Sequence, residues 1–426
     1  MSWTHHVARA WLAACLLATA SLPALAQEAT LEPGSEQPPL LEMLALAPAI
    51  PETRTGVPFL SYVDYRAIEQ ARPDVPAFES WDAFKTVVEA NDLDIRLWWQ
   101  NNNRIQAGPG FYVAYMLEFE DTEALVGFDI FDIDRALLMG EPPDYGVVLQ
   151  GDFDVEAVTE AFLARGYTAG QNNGVVLLNR ADGEPGSAID VQNIDPANPF
   201  GGPLGRREPV AVTAAYLLNS PSDALLEAMV NAYVGYRPSL YTQPDLTAAA
   251  EALSVGQGQL LQAQFLNPAD VATLMSAEAA PDNDYGPLPL YQLAVLADLE
   301  DGSDQVALVA LVYDDEATAR TAAEELSARL PVFAHPNTRR PLIELVEGAR
   351  VAEPNVYYSS GTGKYVALAS VRYPMPANTV VDLSTGQPIP EGQTADRTGF
   401  LMSGQLFRYW NMSLQQRTFD LLTVTE

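Results

Sequence analysis

Gly146–Leu178, GVVLQGDFDVEAVTEAFLARGYTAGQNNGVVLL, holds three structural elements in one short span. Val147–Gln150 is an apolar run of strand length. Asp154 stands where a helix N-cap belongs, since its carboxylate accepts the first free backbone N–H groups of a helix. Val155, Val158 and Phe162 then recur at i, i+3 and i+7 with Ala161 beside them, which makes one apolar stripe. Gly166 follows the last periodic residue, where the chain turns left-handed at little steric cost. Gly174 opens a second apolar run, Val175–Leu178. The expected unit is strand, helix, strand, and it carries no catalytic residue.

Related units recur along the chain. Val210–Leu218 reads as a strand, and Ser220-Pro221-Ser222-Asp223 starts a helix that runs to about Tyr233. Leu246–Leu253 is a further helix and Gln259–Leu266 a strand. Tyr291–Asp298 and Gln305–Tyr313 pair as a hairpin across Glu300-Asp301-Gly302-Ser303, because Asp-Gly favours the tight turn. Asp314 or Asp315 then caps a helix with Ala319, Ala322, Ala323, Leu326 and Leu330 on one face. A second hairpin joins Val356–Ser359 to Tyr365–Val371. Upstream, Phe111–Phe119 and Val126–Ile133 read as strands, with Asp134 capping a short helix Arg135–Met139. The expected fold is α+β, antiparallel sheets covered by helices, arranged as duplicated ferredoxin-like units.

The chain ends suggest processing and segmentation. Arg9, the apolar run Ala10–Leu22 and Ala24-Leu25-Ala26 before Gln27 have the three parts of a secretory signal peptide, which places cleavage after Ala26. Leu12-Ala13-Ala14-Cys15 matches a lipidation box by letters, but most of the hydrophobic length lies after Cys15 rather than before it. Residues 27–55 contain Pro33, Pro38, Pro39, Pro48 and Pro51 and read as a Pro-rich tether. A first α+β domain is expected over 56–278 and a smaller one over 285–375, divided at the proline-rich Ala279–Pro289. Residues 376–426 form a connector and a C-terminal amphipathic segment.

Composition narrows the function classes. The chain has 23 Lys+Arg against 56 Asp+Glu, a net charge of −33. Such a polyanion is repelled by nucleic acid and by anionic lipid. Cys15, the one cysteine, leaves with the signal peptide, so the exported chain has neither a disulfide framework nor a thiolate nucleophile. Arg408, Arg417 and Asp420 exclude a membrane span at the C-terminus, and no other stretch of the processed chain reads as one. An exported protein without disulfides is held together by burial, which about 400 residues of this apolar content provide.

The candidate functional residues are few. His335, the one histidine after cleavage, lies in Phe333-Ala334-His335-Pro336, a turn-like setting without a nucleophile elbow. Gly361-Thr362-Gly363-Lys364 lacks the upstream glycine and following Ser or Thr of a phosphate loop, and it precedes a strand. Trp98-Trp99-Gln100-Asn101-Asn102-Asn103-Arg104 is a candidate ligand surface. Successive strand residues face opposite ways, so one indole can be exposed beside Asn101, Asn102 and Asn103 for stacking on a sugar or peptide. Asp182, Glu184, Asp190 and Asp195 fall in the longest irregular stretch, Arg180–Arg207, and are the best place for calcium, although they lack EF-hand spacing. Calcium is the one cofactor considered. Phe407, Trp410 and Leu414 have helical spacing and form either a last core helix or a docking stripe.

These features lead to the expectation of a non-catalytic, exported, acidic protein that binds or assembles in a bacterial envelope, with another envelope protein or a glycan as partner. A carboxylate-based extracytoplasmic hydrolase acting on glycans is the enzyme alternative. A calcium-dependent adhesion module is the third reading.

Overall fold

Strand Leu293–Asp301 carries buried side chains on both faces along nearly its whole length, and so does its hairpin partner Asp304–Tyr313. A strand in that setting must lie inside a sheet covered on both sides. The computed structural model describes residues 37–71, 78–90, 104–107, 122–180, 189–195, 198–269, 271, 285–335, 337–374, 380–382, 387–388, 398–400 and 404–424. Among these, the main element is one antiparallel sheet. In chain order its strands are β1 (Leu60–Asp64), β2 (Ile133–Glu141), β3 (Asp144–Gly151), β4 (Tyr167–Asn172), β5 (Val175–Arg180), β6 (Val210–Val212), β7 (Tyr216–Asn219), β8 (Gln259–Leu266), β9 (Leu293–Asp301), β10 (Asp304–Tyr313), β11 (Arg350–Val351), β12 (Asn355–Ser359) and β13 (Lys364–Pro374). Their spatial order is β11-β13-β10-β9-β8-β1-β2-β3-β7-β6-β5-β4, with β12 also on β13. A small second sheet, β14 (Val380–Asp382), β15 (Gln387–Pro388) and β16 (Thr398–Phe400), stands apart from it.

The α+β class and the antiparallel sheet agree with the sequence. Here every ladder is antiparallel, and β13 returns directly beside β10. The sheet also crosses the expected boundary between 278 and 285. Strand β8 pairs with β9 from Gln259↔Glu300 to Leu266↔Ala294, so the two expected domains share one ladder, and Gln37–Glu426 forms one compact unit. The proline-rich turn at 285–289 is a connection within this unit.

Helices cover both faces. The first face carries α1 (Pro39–Leu46), α6 (Asp223–Tyr233) and α7 (Pro244–Ser254) over a core that runs from Val148 and Leu218 through Tyr62 and Phe265 to Leu308 and Leu368. The opposite face holds two cores. One packs α2 (Tyr65–Gln70), α3 (Trp81–Ala90) and α5 (Val155–Ala164) on β1–β7; the other packs α8 (Glu316–Arg329) and α10 (Gln405–Gln415) on β8–β13. The remaining short helices are α4 (Thr122–Val126) and α9 (Leu342–Leu345). Alternation sorts the side chains: Val306, Leu308, Ala310 and Val312 of β10 enter the shared core, whereas Ala307, Val309 and Leu311 enter the α8 side.

The capped helices form as the sequence indicates. Asp154, Ser222 and Asp315 each accept hydrogen bonds from the first turn of α5, α6 and α8. Two other readings need correction. Residues 37–55 do not behave as a tether, because Leu40, Leu41, Met43, Leu44 and Leu46 of α1 are buried in the shared core. Prolines at the start of a helix are tolerated, since the first N–H groups have no partner there anyway, so Pro39 opens α1 rather than breaking it. Arg135–Met139 belongs to β2, not to a helix, and Asp129 caps the short 3-10 turn that precedes it. The signal peptide, Phe111–Phe119 and the boundary residues 279–284 lie outside the described residues.

Leu44 is fully buried, so Leu44→Ala is expected to lower stability by about 2–5 kcal/mol in chemical denaturation. A change below about 0.5 kcal/mol, the surface range, would return residues 37–55 to the role of a tether.

Candidate functional site

A buried polar cluster lies on the two-core face, where strands of the two halves meet. Gln262 and Gln264 flank Ala263, Asp298 lies between Ala297 and Leu299, and Gln305 precedes Val306. Each of those neighbours faces the shared core, so the polar residues point the other way. Cross-strand pairing sets them side by side, Gln262 with Asp298, then Glu300 with Gln305, then Gln305 with Tyr373. Onto this band comes Arg104, 1% exposed. Its Nε and Nη2 donate to the two carboxylate oxygens of Asp298 at 2.8 and 2.7 Å, and Nη1 donates to Glu300 at 2.9 Å. Nη2 also reaches the Leu299 carbonyl at 3.2 Å.

Gln262 holds the segment around Arg104. Its amide nitrogen donates to the Arg104 carbonyl at 2.8 Å and to Asp298 at 2.9 Å, while its oxygen accepts from the backbone of Gln106 and Ala107. Gly404, at the start of α10, closes the site. Its φ is +72°, a Cβ there would stand 2.9 Å from Arg104 Cγ, and its N–H donates to the Gln305 side chain. Glycine is the residue that fits both demands.

Burial works against the charge on Arg104. The attraction and hydrogen bonds of Asp298, with support from Tyr373 and Glu300, outweigh it and hold the guanidinium above its ordinary range. Tyr373 is pushed up by burial and then by the negative charge of Asp298. A bidentate arginine–carboxylate pair of this kind is a strong, oriented contact, and arginine does not give up its proton in a protein. The cluster is therefore suited to clamping chain segments rather than to moving protons.

A second polar row crosses four strands on the shared-core face. Asp64, Arg135, Gln150 and Tyr216 are successive lateral neighbours on β1, β2, β3 and β7. Arg135 donates to Asp64 at 2.7 Å and to Gln150 at 2.9 Å, and Asp64 also caps α2 through the Ala67 N–H. Glu42 of α1 accepts from Gln150 and from Tyr216, which ties α1 to the sheet. Burial and then Glu42 push the Tyr216 phenol up. Elsewhere Glu208, 1% exposed, accepts from the Tyr145 hydroxyl at 3.0 and 3.1 Å, and burial raises its carboxyl above the usual range.

The residues singled out from the sequence fare differently. His335 is a satisfied turn histidine. Its Nδ1 accepts from the Asn337 and Thr338 N–H groups at 3.2 and 3.3 Å, its ring packs edge-on to Tyr409, and burial lowers its pKa. Phe407, Trp410 and Leu414 are core, which corrects the docking alternative: all three are buried, Trp410 to 1%, among the side chains that pack α8 and α10 on the sheet. Arg329 secures the end of the chain by donating to the carbonyls of Leu421 and Thr423.

Of the calcium candidates, Asp190 accepts from the Gln192 backbone and the Asn193 side chain, and Asp195 accepts from Arg165 at 2.6 Å. Among the described residues no cluster of three or more acidic, histidine or cysteine side chains is placed to hold a metal ion. Asp182 and Glu184 lie outside the described residues, as do Trp98, Trp99, Asn101, Asn102 and Asn103.

Sequence reasoning did not single out Arg104 with Asp298. The signal was present in Leu293–Asp301, where Asp298 interrupts a continuous apolar run and so requires a buried cation.

No family model matches the chain, and no curated protein sequence matches it. Among solved structures, crystal form I of TP0453 aligns with a TM-score of 0.32 and 9% identity over 87% of this chain and 96% of that one. Crystal form III gives 0.32 and 8% over 77% and 92%, and crystal form IV gives 0.32 and 8% over 76% and 91%. Similarity at this level carries no conclusion about function.

Two outcomes follow from the buried groups. Arg104→Ala is expected to cost about 3–5 kcal/mol in denaturant unfolding, with much of the loss recovered when Arg104→Met is combined with Asp298→Leu. An Arg104→Ala loss below about 1 kcal/mol would contradict the clamp. For Glu208 the folded carboxyl binds its proton more tightly than the unfolded one, so its contribution to stability is present below the ordinary glutamate range and is lost as pH rises through the raised value. The stability of Glu208→Gln relative to the parent should therefore increase with pH from about pH 4 upward. A flat difference would contradict the assignment.

Proposed function

We propose that the chain is an exported, acidic binding or assembly component of a bacterial cell envelope, acting through its surface rather than through a reaction centre. The carrying observation is a set of exposed apolar side chains in one loop of a strongly acidic protein. Ile189 (62% exposed), Val191 (73%), Ile194 and Leu204 project from the loop that follows β5, and Leu163 projects from the adjoining end of α5. The Arg165–Asp195 bond and the Asn198–Tyr167 bond tie this loop to the end of α5 and the start of β4. Exposed apolar side chains carried on one anchored loop are a usual mark of a contact surface.

The leader-like residues 1–26 support export, and the acidity disfavours nucleic acid and anionic lipid as partners. The partner favoured here is therefore another envelope protein. We also read the chain as an internal duplication. Strand, hairpin, capped helix and hairpin follow one another as β1, β2–β3, α5, β4–β5 and again as β8, β9–β10, α8, β12–β13.

The test is capture of envelope proteins on the mature chain and on its Ile189→Glu/Val191→Glu variant. The parent is expected to retain a discrete partner and the variant to lose at least about nine-tenths of it, with the melting temperature unchanged. Equal retention by both, or hydrolysis of an envelope glycan by the parent, would overturn the proposal.

A further inference from the structure

His335 is the one histidine among the described residues, and its side chain closes the turn between α8 and α9. The backbone there folds back on itself. The His335 N–H donates to the Arg340 carbonyl at 2.8 Å, the Arg339 N–H returns to the His335 carbonyl at 2.9 Å, and the Leu342 N–H reaches the Phe333 carbonyl at 2.8 Å. Within this loop Nδ1 of the ring takes the Asn337 and Thr338 N–H groups at 3.2 and 3.3 Å. A ring nitrogen that accepts carries no proton, so the neutral imidazole keeps its hydrogen on Nε2. Asparagine and aspartate close Asx turns in the same way, taking the backbone N–H two residues on with a side-chain oxygen.

An amide oxygen accepts at every pH, whereas an imidazole stops accepting once it is charged. The incoming proton goes to Nδ1, where the lone pair is. It replaces two accepted hydrogen bonds with a donor pointed at two donors. His335 is 8% exposed, so little water is at hand to take their place. Burial lowers its pKa, and the folded ring therefore binds a proton less tightly than the unfolded one. Its contribution to the turn is present above the ordinary histidine range and is lost as pH falls through the lowered value.

The described groups around the ring give a charged imidazole no support. From α10, Tyr409 meets it edge-on with ring centroids 4.8 Å apart, and the Tyr409 hydroxyl accepts from the Gln405 side chain at 2.8 Å. On the turn itself Arg339 and Arg340 are exposed cations, which repel a second positive charge. Glu344 of α9 is paired with Arg340 at 3.8 Å. Opening the turn therefore bears on one contact above all, the cover that His335 gives Tyr409.

We propose that the turn closed by His335 is an acid-released latch: proton uptake at Nδ1 opens it and uncovers Tyr409. The rest of α10 stays seated, because Phe407, Trp410 and Leu414 are buried in the core whatever the state of the turn. The change is local, and it is independent of the binding reading above.

The test is amide hydrogen exchange of the chain and of its His335→Asn variant, followed at the Asn337 and Thr338 amides. Asparagine offers the same N–H groups an oxygen and does not charge. Between about pH 7.5 and pH 5, protection of these amides is expected to fall at least about tenfold in the parent relative to the variant. Taking the ratio at each pH cancels the intrinsic pH dependence of exchange. It also cancels the raised carboxyls of Glu208 and Asp132, which titrate in the other half of the sheet. A second measurement needs no variant: proton NMR of the His335 ring, assigned by its contact with Tyr409. The ring is expected to titrate below the ordinary histidine range, and the Tyr409 ring signals are expected to shift along the same curve. Equal loss of protection in parent and variant, or titration at or above the ordinary range, would overturn the proposal. So would a ring that titrates while Tyr409 and the two amides stay unchanged, since the turn would then tolerate the charge.

Discussion

The antiparallel pairing of β1 with β8 is the junction on which the rest of the fold depends. Leu60↔Phe265, Ser61↔Gln264, Tyr62↔Ala263 and Val63↔Gln262 join residues about two hundred positions apart, and they turn two sets of hairpins into one sheet. On one face this union creates a single core beneath α1, α6 and α7. On the other face each half keeps its own helices and its own core. Burying apolar surface drives both arrangements, but only the shared core requires the halves to be together.

The polar band beside this junction has a physical reason. It fills the strip between the two separate cores of the two-core face. Ser61, Gln262, Gln264 and Asp298 occupy that strip, and Arg104 with its neighbours is laid over part of it. Such a cluster adds modest net stability, since desolvating the ions offsets much of their attraction. Its larger effect is on register. Slipping β8 or β9 by one residue would turn Gln262 or Asp298 into the shared core and leave Arg104 buried without its partner.

Legibility in the sequence followed burial and locality. Helices announced by a cap and an apolar stripe, at Asp154, Ser222 and Asp315, and the hairpin over Gly302 could all be read, because their signals lie within a few residues. Strand β2 was misread because both of its faces are buried. Ala136, Leu137 and Met139 then make an unbroken apolar run that a short helix would also give. Strand β4 was missed for the opposite reason: an exposed edge has no apolar period to detect. The β1–β8 junction left no local trace, which is why a proline-rich turn passed for a domain boundary. At the candidate site Asp298 was visible as an acid within a buried strand, but its partner Arg104 stands in a distant polar run. Such a pairing is fixed only by the tertiary fold.

One cooperative sheet, rather than two domains, is the claim that everything else requires. The most direct measurement is denaturant unfolding of two single-tryptophan versions of the chain, one retaining Trp81 in the first half and one retaining Trp410 in the second. Both indoles are buried, in different cores of the two-core face. Coincident midpoints and slopes are expected, because loss of either half breaks the shared core. An earlier, separate transition at one tryptophan, with the other still in its native environment, would contradict it.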